Sequence, residues 1–244
     1  MENTRASIWR SGNKKNLVII PGISTLLYPT IWKLLSPSYF SYYAKYFTVN
    51  VITFNHLPEK GTFLSVVEEY HKRLMQLQPY AVLAMEEGAF IAQHLATRQA
   101  LKKLVLVSTS TKSNAKSQEV YEHWVRYVQQ DRWQSLHKSM SHYFTNKHSF
   151  MKYLFFKKPQ NPHQLTLLVE ALKRRNSENF LPKINSETLI IGGDKDALIS
   201  PDQYQKLLRL IPKSQLICVR GGCHHLYHQK KSTLEPNILH FLLR

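Results

Sequence analysis

Residues 81–96 read AVLAMEEGAFIAQHLA, and the fold turns on how this stretch is read. Residues 81–84 are a short apolar run of buried-strand type, and 88–96 carry small and apolar residues on most sides of a helical wheel, as a buried helix does. Only Met85-Glu86-Glu87 separates them, so a strand passes almost directly into a helix. Outward from it the same alternation repeats. Strands are expected at 17–20 (LVII), bounded by Lys14, Lys15 and Asn16 before it and by Pro21 and Gly22 after it, and at 47–54 (FTVNVITF). A helix follows over 62–77, with Phe63, Val66, Val67, Tyr70, Leu74 and Leu77 at helical spacing. After 81–96 come strands at 104–108, 188–191 and 216–219 and helices at 202–210 and 234–243. Continuous apolar strands alternating with helices imply an α/β fold: a mostly parallel sheet with helices on both faces.

Between 111 and 183 the alternation stops, and the segment becomes helical, aromatic and basic, including Tyr121, Trp124, Tyr127, Trp133, Tyr143, Phe144, Phe150, Tyr153, Phe155 and Phe156. The expected organisation is a core of 1–110 and 184–244 with a helical insertion over 111–183. The chain of 244 residues, 43% hydrophobic with 8 Gly, excludes disordered and collagen-like classes. Lys and Arg number 33 against 16 acidic residues, a net +17. The insertion holds 13 basic and 5 acidic residues in 73, about twice the density of positive charge in the remainder. Charge of this sign at a pocket entrance would attract an anionic substrate or an acidic carrier protein. Nucleic-acid binding is the weaker alternative, because the basic residues are scattered and no recognised binding motif is present. Two cysteines five positions apart, Cys218 and Cys223, suit reduced thiols, and no apolar run reaches membrane-span length, so a soluble cytoplasmic protein is expected.

Ligands of open parallel sheets bind at the carboxyl ends of the strands. Four loops there carry chemistry: Pro21-Gly22-Ile23-Ser24, Ala84-Met85-Glu86-Glu87-Gly88, Gly192-Gly193-Asp194-Lys195-Asp196 and Gly221-Gly222-Cys223-His224-His225. In these loops the chain resembles the α/β-hydrolase family over nearly its whole length. The resemblance places Glu86 at the nucleophile elbow, Asp196 as the acid and His224 as the histidine, in the family's order. It implies that residues 111–183 form a helical lid. It also implies oxyanion donors at the backbone N–H groups of Ile23 and Glu87.

The elbow departs from G-x-S-x-G, with Ala84 for the first glycine and Glu86 for serine. Glutamate has no hydroxyl to deprotonate, so serine acyl-enzyme chemistry is excluded. Three roles remain for Glu86: a carboxylate nucleophile, as the family's dehalogenase-like and epoxide-hydrolase-like branches use aspartate; a general base on water, a role open to Glu87 too; or a silent position in a protein that only binds. Acidic residues at a helix N-terminus are also favoured on structural grounds alone. A histidine between Glu86 and Asp196 is expected to be protonated near neutrality. Ser24 is a substitute nucleophile candidate that more simply caps a turn. Cys223, His224, His225 and His228 have no standard metal spacing, and neither metal nor other cofactor is expected. The expected activity is hydrolysis of a small ester, acyl or related apolar substrate, with a catalytically inactive ligand-binding homologue as the alternative.

Overall fold

A computed structural model describes residues 7–9, 15–23, 25, 38–53, 62–144, 158 and 162–244. Seven strands form one sheet: β1 (Ser7–Trp9), β2 (Asn16–Ile20), β3 (Thr48–Val51), β4 (Ala81–Met85), β5 (Lys103–Val107), β6 (Glu187–Gly193) and β7 (Ser214–Val219). Their spatial order is β1-β3-β2-β4-β5-β6-β7. Every pairing from β3 to β7 is parallel, and β1 joins β3 antiparallel at the edge. The edge strand was not foreseen, because three residues, Ser7-Ile8-Trp9, are too few to show a period.

Among the described residues the helices are α1 (Ser41–Ala44), α2 (Phe63–Leu77), α3 (Glu86–Ala96), α4 (Ala115–Gln129), α5 (Trp133–Phe144), α6 (Pro162–Lys173), α7 (Pro201–Leu210), α8 (Leu226–Gln229) and α9 (Lys231–Leu243). Alternate side chains of each strand face opposite ways. Val18, Ile20, Val82, Ala84, Leu104 and Leu106 accordingly pack with Val67, Leu74, Ile91 and Leu95 of α2 and α3. Leu17, Ile19, Leu83, Met85, Val105 and Val107 pack instead with Tyr43, Ile238 and Leu242 of α1 and α9. A strand buried on both faces must be apolar throughout, which is why these strands read as continuous runs.

The helix boundaries have local causes. Thr62 caps α2, its hydroxyl accepting from the Ser65 N–H, and Gln78 ends that helix in the left-handed conformation at φ 45°. Asn114 and Ser117 form a reciprocal capping box at the start of α4. Helices α4 to α6 lie in sequence between β5 and β6. Their buried residues Tyr121, Trp124, Leu165 and Leu172 join the same apolar cluster as α2 and α3. Trp124, fully buried, donates its indole N–H to the Ser139 hydroxyl at 2.9 Å. The aromatic character of the insertion therefore serves packing wherever it is described; Phe150, Tyr153, Phe155 and Phe156 lie outside the described residues.

Candidate active site

Four chain segments meet at the carboxyl ends of the central strands, the loop after β2 among them. The first is the elbow. β4 ends at Met85 and α3 begins at Glu86, whose φ of 54° is unusual for a residue with a side chain. A left-handed non-glycine residue costs roughly 1–3 kcal/mol and persists only where the surroundings enforce it. The turn aims the Glu86 side chain away from the sheet, towards the loop after β2. A Cβ on Gly22 would clash with the Glu86 carboxylate, so only glycine lets the two approach. Glu86 and Glu87 are 3% and 2% exposed.

The other two segments are the loops after β6 and β7. Gly193 and Gly222 touch backbone to backbone, and a Cβ on Gly193 would clash with the Gly222 carbonyl. Lys195 N–H donates to the Gly222 oxygen at 2.9 Å, and Gly221 N–H to the Asp194 carboxylate at 2.6 Å. This seam carries Asp196 to His224 across 28 residues of sequence. The Nδ1 of His224 lies 2.9 and 3.1 Å from the two Asp196 oxygens, and Asp196 also accepts from Leu198 N–H, Ile199 N–H and the Tyr204 hydroxyl at 2.8–3.0 Å.

The electrostatics follow. Burial works against the charged form of both partners. For Asp196 the charge and hydrogen bond of His224 outweigh burial, and its pKa is held below the usual carboxylate range. For His224 burial is outweighed by the charge and hydrogen bond of Asp196, then by the charges of Glu86 and Glu87, and its pKa is raised to about 9. The imidazole is therefore held in its protonated form near neutrality, chiefly by Asp196.

The structure thus brings together Ile23, Glu86, Glu87, Asp196 and His224. Ser24 lies outside the described residues. Two features go beyond the sequence reading. The Ile23 N–H, a foreseen oxyanion donor, donates instead to the Glu87 carboxylate at 2.9 Å. The elbow glutamate pairs with a different histidine from the one aligned with the family: Glu86 Oε1 lies 3.2 Å from His225 Nε2. His225 and His228 were grouped in sequence with Cys223 and His224, but the fold sends His224 to Asp196 and turns His225 and His228 towards Glu86. Their i, i+3 spacing across the start of α8 is the signal that joins the two. Lys158, at the far end of the insertion, is bound to Asp131 at 2.5 Å, and Lys157 lies outside the described residues.

Comparison with solved structures agrees with this fold. The enol-lactonase of Burkholderia xenovorans LB400 is 17% identical with a TM-score of 0.80, covering 96% of this chain and 93% of its own. The esterase of Exiguobacterium antarcticum is 16% identical with a TM-score of 0.75, covering 96% and 94%. A bromoperoxidase of Bacillus anthracis is 21% identical with a TM-score of 0.72, covering 96% and 93%. The chain has the α/β-hydrolase fold, and at these identities the likeness is one of fold. No protein-family model matches the chain. A stretch of 74 residues is 30% identical to polyketide synthase ThaQ of Burkholderia thailandensis, spanning 30% of this chain and 4% of that protein. No helix among the described residues is long and apolar enough to cross a membrane.

Proposed function

We propose that the protein is a hydrolase acting on a small ester, acyl or related apolar substrate with Glu86, Asp196 and His224 in place of a serine triad. The observation that carries this reading is the protonated His224, locked to Asp196 and under the charge of a carboxylate held at the elbow by a strained backbone. An imidazolium and a carboxylate are suited to opposite halves of an acid–base reaction. In this mechanism Glu86 takes a proton from water as the water oxygen attacks the acyl carbon. The bond to the leaving group breaks while His224 gives that group its proton. Glu86 then holds one proton, His224 lacks one, and transfer through water resets both.

The test compares the protein with Glu86→Ala on a panel of short acyl esters, epoxides and haloalkanes. Turnover that disappears in the variant supports the reading, and equal background rates in both proteins sink it. Single turnover in heavy-oxygen water leaves the Glu86 peptide unlabelled for general-base attack; label in that peptide would move Glu86 to the covalent role.

The second reading, a ligand-binding protein without catalysis, is favoured by one contact. With Glu87 on the Ile23 N–H, an anion already occupies a donor that a tetrahedral intermediate would need. Turnover that rises in Glu87→Ala would identify Glu87 as a removable brake on a working site. Absence of turnover in both proteins leaves the binding reading. In either case we place residues 111–183 as a lid, with its basic charge favouring an anionic substrate or an acidic carrier. The thiols of Cys218 and Cys223, which are not joined, suit the cytoplasm.

A further inference from the structure

The loop after β7 and the elbow meet a second time, away from the Asp196–His224 pair. Glu86, His225 and His228 offer one carboxylate and two imidazoles whose ligating atoms lie within 4.8 Å of one another. Glu86 Oε1 and His225 Nε2 are 3.2 Å apart, and the rings of His225 and His228 face each other with centroids 3.7 Å apart. Two ligands at the usual ~2.0–2.1 Å from a tetrahedral zinc are ~3.4 Å apart, so the first pair already has the spacing and His228 needs to close by at most ~1.4 Å.

We propose that Glu86, His225 and His228 bind a divalent first-row transition ion, zinc foremost, with coordination positions left for water or substrate. Three further observations support this. The ligands come from defined backbone positions: Glu86 from an enforced left-handed turn, His225 from the N-cap of the short helix α8 and His228 from its last turn. Tyr39 Oη lies 2.5 Å from the Nδ1 of His228, an outer partner that orients the ring and, when Nδ1–H donates to it, presents Nε2 as the ligating atom. Glu86 and His225 are buried, at 3% and 8% exposure, which keeps these ligand atoms out of competition with bulk water. Two imidazoles, one carboxylate and open positions are the donor set of catalytic zinc and non-haem iron sites rather than of closed structural ones. An ion here would acidify a bound water and so take over the activation of the nucleophile that the hydrolytic reading gives to Glu86, which would then be a ligand and not the base; the site stands on its ligands and does not rest on that reading.

The experiment uses the full-length, tag-free chain stripped with a chelator. Cobalt(II) is added, excess ion is removed by desalting, and metal per chain is measured together with visible absorption; zinc is then added as competitor. The expected result is one cobalt per chain, a d–d spectrum of low-symmetry nitrogen and oxygen ligation, and its displacement by zinc. Glu86→Gln, His225→Ala and His228→Asn, each verified as folded by circular dichroism, should weaken binding by tenfold or more, and Tyr39→Phe by roughly tenfold. Failure of the folded wild-type chain to retain stoichiometric cobalt or zinc overturns the proposal. So does binding undiminished in the folded His225→Ala and His228→Asn variants. Stoichiometric binding without turnover would keep the site and defeat the hydrolase; turnover by the metal-free chain, with no ion bound on addition, would do the reverse.

Discussion

Replacing His224 by glutamine should abolish a pH dependence of stability that the wild-type chain owes to one buried ion pair. The imidazole is 2% exposed, its Nδ1 lies 2.9 Å from a fully buried carboxylate, and its pKa stands at about 9 against the ordinary 6.5. A difference of that size between folded and unfolded chains corresponds to about 3 kcal/mol. The raised pKa belongs to the folded state, so the stabilisation is complete below pH 6.5 and is lost as pH rises through about 9. Urea unfolding of both proteins at pH 6 and pH 10 isolates this one group, because other titrations cancel in the difference between wild type and variant. With an m-value of ~3 kcal/mol/M, the wild-type midpoint should fall by ~1 M more than that of the variant between the two pH values. A difference that stays constant within ~0.5 kcal/mol would show that His224 is not charged by Asp196, and the acid role assigned to it would go with the pair.

Restoring serine by Glu86→Ser should produce measurable esterase activity on short acyl esters, since Asp196 and His224 already have triad geometry; an inert but folded variant would mean that the Glu87 contact with Ile23 blocks the oxyanion position. Gly193→Ala inserts a methyl against the Gly222 backbone, so it should cost ~1–3 kcal/mol in chemical unfolding and bring the imidazole pKa of His224 down by parting it from Asp196, as read by proton NMR of the imidazole. Trp124→Ala empties a fully buried contact between α4 and α5 of the insertion and should lower stability by ~3–5 kcal/mol in chemical unfolding; a cost under ~1 kcal/mol would show that the insertion does not unfold together with the core.

The sheet, its helices and the order of the site segments were legible in the sequence because each rests on a local signal. Val18 and Ile20 face one layer while Leu17 and Ile19 face the other, so the doubly buried strand writes itself as LVII. The sequence by itself also determined that serine chemistry is absent at residue 86. Through the family resemblance it also led to the expectation that His224 lies beside Asp196, where the structure has it.

What only the tertiary structure decided is the direction of each side chain where the loops converge. His224 and His225 are neighbours in the chain, yet one meets Asp196 and the other Glu86. That division depends on backbone turns set by the Gly193–Gly222 contact. The diversion of Glu87 onto the Ile23 N–H joins residues 64 apart, and the cluster of Glu86, His225 and His228 spans still more of the chain. Periodicity and spacing describe a residue's own element, whereas a site is made by the approach of several elements, and that is settled by packing. Glu86 stands where both meet: its identity ruled out one chemistry, and its left-handed turn, glycine neighbour and histidine partner are set by packing.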